Sequence, residues 1–112
     1  PVFAGGDAAA GKIVFNRCLS CHEAASDRDK IGPHLSDVVG RTAGAAESFL
    51  PHYSQAMKAA GAAGLVWDEA NLAEYLRAPR AKVPGNKMAF AGLQKDEDIA
   101  NVIAYLKADP KP

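Results

Sequence analysis

Aromatic residues are scarce in this chain, at 7% of its 112 positions, against a hydrophobic fraction of 48%. A core must therefore be assembled mostly from small aliphatic side chains, alanine prominent among them, which leaves volume that a large flat group could fill. Net charge is absent too: 13 basic and 13 acidic residues cancel, which removes any global attraction to nucleic acid or a membrane surface. No apolar run approaches the roughly 18 residues needed to span a bilayer, so a soluble chain without membrane insertion is expected. The cysteines number only two. Positions 18 and 21 are too close for a framework disulfide, so the pair must serve chemistry. No stretch alternates apolar and polar residues for long, so no strand is predicted. The length fits one domain, 1–112. Pro1 opens a short glycine-containing stretch that reads as a mature N-terminus with its signal peptide removed.

What is present reads as helices joined by long loops. Asp7 caps a first helix running to about Asn16. Ser54 to about Ala60 forms a short second one, closed by Gly61 and Gly64. Asp68 caps a third, with Leu72, Tyr75 and Leu76 on one face, which Pro79 ends. The fourth begins with Asp96, Glu97 and Asp98, which suit the positive end of the helix dipole. It continues through Ile99, Val102, Ile103 and Leu106 at helical spacing and stops at Pro110. Loops from about Glu23 to Phe49 and from Ala78 to Gly92 are long for a compact domain. They carry Ile31, Leu35, Val38 and Val39, and Val83, Met88 and Phe90, so both are expected to wrap something apolar. The zero net charge also hides an asymmetry. Between Arg77 and Lys95 every charged residue is basic, whereas acids lead between Glu23 and Asp37.

Cys18-Leu19-Ser20-Cys21-His22 has the spacing of c-type haem attachment. Two thiols three positions apart can add to the two vinyl groups of one haem, and the adjacent histidine can then offer a nitrogen to the iron. A thioredoxin-like pair would need a βαβ unit, and there are no strands to make one. A zinc site would have to recruit His34 and His52 without a recognisable second half.

With that motif in place, the chain resembles class I cytochrome c, in its mitochondrial and bacterial c-two branch, from about Gly5 to Lys107. The motifs that carry the likeness run in order. They are Phe15-Asn16-Arg17, Gly32-Pro33-His34-Leu35, Gly40-Arg41-Thr42-Ala43-Gly44, Trp67, Glu74-Tyr75-Leu76 with Pro79, Pro84-Gly85-Asn86-Lys87-Met88-Ala89-Phe90-Ala91-Gly92, and Ile103-Ala104-Tyr105-Leu106-Lys107. The resemblance implies an all-α fold of about four short helices and long loops around one covalently bound haem c, joined to Cys18 and Cys21. It implies His22 and Met88 as axial iron ligands. The chemistry of a thioether, a soft neutral donor that raises the potential, agrees with Met88 in a stiff loop. Met57 lies in a helical segment where core packing suffices, while His34, His52 or an open site remain as alternatives to Met88. By the same resemblance, the Pro33 carbonyl accepts from His22, Tyr75 lies near the Met88 sulfur, and Arg41, Tyr53 and Trp67 donate to a buried propionate. Ordinary core packing is an equally natural use of Trp67 and Tyr75. Gly11, Phe15 and Tyr105 mark a crossing of the first and last helices. The segment from Gly44 to Trp67 is longer than in mitochondrial members, with Leu50-Pro51-His52 inserted, which points to a bacterial origin and unsettles the place of Tyr53.

The function so implied is a one-electron carrier, not an enzyme, because two protein ligands leave the iron no open position. Arg17, Lys30, Arg80, Lys82, Lys87 and Lys95 would ring the docking face. The protein partners implied are a cytochrome bc-type complex, a terminal oxidase, a reaction centre or a dehydrogenase, met by a monomer in the periplasm. A gas sensor with an open iron and a haem-free thiol or zinc module are the competing readings.

Overall fold

Asp7 starts the first helix as its spacing suggests: its carboxylate accepts from the Ala9 N–H at 3.0 Å, and α1 runs Ala8–Phe15. The computed structural model describes residues 5–112, so the reading of Pro1 as a mature N-terminus lies outside the described residues. Four more helices follow: α2 (Gln55–Ala62), α3 (Glu69–Arg77), α4 (Pro79–Lys82) and α5 (Asp96–Lys107). Ser54 and Asp68 cap α2 and α3 by accepting from Met57 N–H and Asn71 N–H. Three acids occupy the first turn of α5, as its dipole favours. The fold is all-α. Among the described residues the only extended pairing is an isolated bridge between Thr42 and Val66.

The ends of the chain are brought together by α1 crossing α5. Gly11 and Phe15 are buried there, and the Phe15 and Tyr105 rings lie 5.4 Å apart. Ile99, Val102, Ile103 and Leu106 extend this contact into the main core, joined by Val38, Trp67, Leu72, Tyr75, Val83 and Leu93. Both long loops contribute to it, as their apolar residues require. Ile31 is the exception, projecting into solvent with 78% of its surface exposed.

Several boundaries differ from the sequence reading, each for a tertiary reason. Gly61 does not close α2 but lies inside it. A Cβ at this position would strike the Ala43 carbonyl, so its small size serves helix-to-loop contact and not termination. The stop comes at Gly64, whose φ is 103°. Pro79 does more than end α3: it opens the one-turn α4, since a proline is well placed at a first helical position. Helix α5 stops at Lys107, ahead of Pro110. Glu47–His52 forms a 3₁₀ segment containing Pro51.

Asp37 is the one non-glycine residue with positive φ among those described, at 58°. Left-handed backbone costs an L-residue ~1 kcal/mol or more, less for aspartate than for most. Asp37→Gly is therefore expected to stabilise the protein by about 0.5 kcal/mol, and Asp37→Val to destabilise it. Thermal melts of the two variants check this, and the idea fails if glycine lowers the midpoint.

Candidate functional site

The Cys18–His22 segment continues α1 as a tight turn. Cys21 N–H and His22 N–H both donate to the Cys18 carbonyl, at 3.1 and 2.8 Å. This turn carries Cys18 and Cys21, which form no disulfide with each other, on one short stretch of hydrogen-bonded backbone. Burial pushes the Cys18 thiol up, against the pull of Arg17.

His22 is fixed from the other side. Its Nδ1 lies 2.8 Å from the Pro33 carbonyl, which can only accept, so Nδ1 carries the proton and Nε2 keeps its lone pair. Burial lowers its pKa; the Pro33 bond opposes this, and the charges of Arg41 and Lys30 reinforce it. The result is a neutral imidazole, the form that ligates metal. Gly32 makes room for it, since a Cβ there would overlap the His22 ring. The residue before Pro33 was legible only as part of a motif; the structure supplies its reason.

Met88 lies in the loop after α4. Asn86 organises that loop: its amide donates to the carbonyls of Pro79 (3.1 Å) and Val83 (2.8 Å), while its oxygen accepts from Met88 N–H at 2.8 Å. Sequence reasoning assigned Asn86 no role, and its place two residues before Met88 was the available signal. The Tyr75 hydroxyl lies 3.9 Å from the Met88 sulfur, as a weak donor. Its ring packs on Trp67, centroids 4.8 Å apart.

Burial pushes the Tyr75 phenol up to about 12 from an ordinary 10.0. A folded pKa above the unfolded one means that stability from this group is whole below pH ~10 and is lost as pH rises towards ~12. Denaturant midpoints measured across that window should fall more in the parent than in Tyr75→Phe. Parallel curves would refute it.

Arg41 and Trp67 are distant in sequence but adjacent in space. Trp67 N–H donates to the Arg41 carbonyl at 2.8 Å, and Gly40 N–H to the Trp67 carbonyl at 2.7 Å. Tyr53 is buried with Ala46 and Phe49 in a small cluster that Met57 joins to the main core. Its hydroxyl oxygen accepts from Ala46 N–H at 3.2 Å, leaving its own proton to donate, and burial raises its pKa. Arg41 Nε and Nη1 are buried with no hydrogen-bond partner among the described residues. Burial lowers the Arg41 pKa, while Tyr53, Asp29 and Asp37 partly offset the loss. A buried guanidinium lacking partners calls for an anion. A paired thiol turn, an imidazole with a free Nε2, a thioether and this unsatisfied cation together fit a haem.

Asp29 also belongs to this region. Burial acts to raise its carboxyl, but the Ser48 hydroxyl, the His34 N–H and the charges of His34 and Arg41 bring it below the ordinary range. Arg17, Lys30, Arg80, Lys87 and Lys95 are exposed, and Lys82 is half-buried. Lys30 donates to the Leu19 carbonyl at 2.6 Å, and Lys82 to Asn71 Oδ1 and Glu74 Oε1 at 2.9 and 2.8 Å.

Comparison with known proteins agrees with this geometry. The family model described as cytochrome c matches residues 8–108. The chain is 47% identical over 110 residues to cytochrome c2 of Agrobacterium tumefaciens (strain II Chrys), covering 96% of this chain and 97% of that one. It is also 47% identical over 102 residues to cytochrome c-550 of Nitrobacter winogradskyi, covering 90% and 89%. Among solved structures, cytochrome c2 of Rhodospirillum centenum superposes with a TM-score of 0.86 at 35% identity, covering 96% of this chain and all of that one. Cytochrome cH of Methylobacterium extorquens gives 0.81 at 42%, covering 91% and 98%.

Proposed function

The chain belongs to the cytochrome c family, alongside cytochromes c2 and c-550, and on that premise we propose how its residues share the work of carrying an electron. It is an electron carrier, not an enzyme, and holds haem c covalently through Cys18 and Cys21, with His22 next to them. The haem supplies an iron that gains and loses one electron.

His22 Nε2 and Met88 Sδ would hold the iron of that haem. The observation that carries this is their separate anchoring: the Pro33 carbonyl fixes the His22 ring, while Asn86 and Tyr75 hold Met88. Donors held in place in this way need little rearrangement when charge changes, and two protein ligands leave no position open for substrate. Arg41 would neutralise a haem propionate that would otherwise be a costly buried charge, with Tyr53 and Trp67 as neutral hydrogen-bond donors to it. Residues 1–112 act as one domain.

The exposed Arg17, Arg80, Lys87 and Lys95 form the steering charge of the docking face. Lys30 and Lys82 add to its field while their ammonium groups stay bound internally. The partners are acid-lined redox proteins: a cytochrome bc-type complex, a terminal oxidase, a reaction centre or a dehydrogenase. The compartment is the periplasm, since bacteria attach haem through thioethers outside the cytoplasm. Charge steering makes association fall with ionic strength. Arg80→Glu with Lys87→Glu is expected to slow reduction by such a partner at low salt by about tenfold or more and to flatten the salt dependence. Stopped-flow rates across a salt series check this, and an unaltered slope would sink the docking assignment.

A further inference from the structure

Residues 87–92 carry Met88 past the core with almost no hydrogen bonding of their own. Among the described residues, their backbone makes a single hydrogen bond, from Met88 N–H to Asn86 Oδ1 at 2.8 Å. The stretch is pinned at its two ends. It leaves a turn at Gly85, whose φ is 87°, and rejoins α3 where Leu93 N–H donates to the Leu76 carbonyl at 2.8 Å. Gly92, with φ 118°, lies so close to the Arg77 carbonyl that a Cβ would overlap it. Between those pins Met88 and Phe90, both half-buried, pack against the core.

The side chain of Asn86 is chemically matched to this place. Its Nδ2 donates to the Pro79 and Val83 carbonyls at the end of α4, which fixes the amide plane and turns Oδ1 to the Met88 N–H. That takes donors and an acceptor on one short planar group, which neither a carboxylate nor an aliphatic side chain offers. The two carbonyls do not depend on it: Val83 N–H donates to the Pro79 carbonyl at 3.0 Å, and Asn86 N–H to the Val83 carbonyl at 3.2 Å. The Met88 N–H has no such second partner. Resting on Met88 as the ligand proposed above, we propose that Asn86 is a positioning residue for the axial sulfur. It latches the Met88 backbone to α4 and so decides how readily the oxidised protein exchanges Met88 for another ligand. The latch is made only while Met88 is seated, so its free energy opposes the exchange. Tyr75, 3.9 Å away, acts on the sulfur itself and more weakly.

The test is an imidazole titration of the oxidised, haem-loaded protein at neutral pH, followed by loss of the sulfur-to-iron charge-transfer absorption. Asn86→Leu, close in volume but without polar side-chain atoms, should bind imidazole about tenfold more tightly, the equivalent of one hydrogen bond. Ile99→Val trims a fully buried side chain in α5 and destabilises the fold to a similar degree. Being remote from the latch, it should leave imidazole affinity within about twofold of the parent's. Equal affinity in Asn86→Leu and the parent would overturn the proposal. So would an equal rise in Ile99→Val, which would trace the effect to overall stability. Should Asn86→Leu fail to fold, hydrogen exchange in the parent decides: the Met88 amide should exchange more slowly than those of Lys87 and Ala89, and equal rates would overturn the latch. A parent without the charge-transfer absorption would overturn the Met88 reading and this proposal together. With that absorption present, a negative result removes Asn86 alone.

Discussion

Met88→Ala is expected to lower the midpoint potential by several hundred millivolts, an appreciable share of the ~0.8 V that axial ligands span. A thioether is a neutral, polarisable donor that favours the reduced iron, so its loss stabilises the oxidised form. The sulfur-to-iron charge-transfer absorption of the oxidised protein should vanish, while Cys18 and Cys21 keep the haem attached. Met57→Leu is the control, because Met57 packs against both apolar clusters and needs only bulk. Tyr75→Phe should act on the same bond far more weakly. Its hydroxyl, 3.9 Å from the sulfur, draws electron density away, so removing it lowers the potential by roughly tens of millivolts. Persistence of the charge-transfer band in Met88→Ala would eliminate Met88 as a ligand and return His34, His52 or an open position to consideration.

The second large effect is structural. Gly11→Val should cost ~3–5 kcal/mol, a large part of the stability of a domain this size. At Gly11 the backbones of α1 and α5 approach so closely that even a Cβ would overlap the Asn101 carbonyl and press on the Tyr105 side chain at 2.9 Å. Relief would require the helices to part, opening the Phe15–Tyr105 contact and the packing around Ile99, Val102 and Ile103. Nothing flexible stands in the way to absorb the change, because the obstruction is backbone. With a shift of about 4–8 °C per kcal/mol, the melting midpoint should drop by roughly 12 °C or more. Circular dichroism melts of the haem-loaded variant measure it, and a midpoint within a few degrees of the parent would show that the crossing is not tight.

Much of the fold was legible because its signals are local. Asp7, Ser54 and Asp68 cap the helices they precede, and α5 follows from a few turns of regular apolar spacing. Helix α4 and the 3₁₀ segment were not, since a proline read as a stop can also start a turn once neighbouring loops pack around it. For the candidate site, the Cys-x-x-Cys-His turn could be read from five consecutive residues. The buried guanidinium of Arg41 without partners could not, because its surroundings come from Asp29, Tyr53 and Trp67.

The amino-acid order alone determined the haem-attachment turn, the helix starts and the periodic face of α5, since each depends on residues within one or two turns of one another. Only the folded chain decided that Gly61 serves a close contact, that Lys30 and Lys82 are bound internally, and that Ile31 stands in solvent. These outcomes rest on which remote segments meet. That is set by the balance of buried area, backbone hydrogen bonding and loop closure over the whole domain, a quantity that no local window contains.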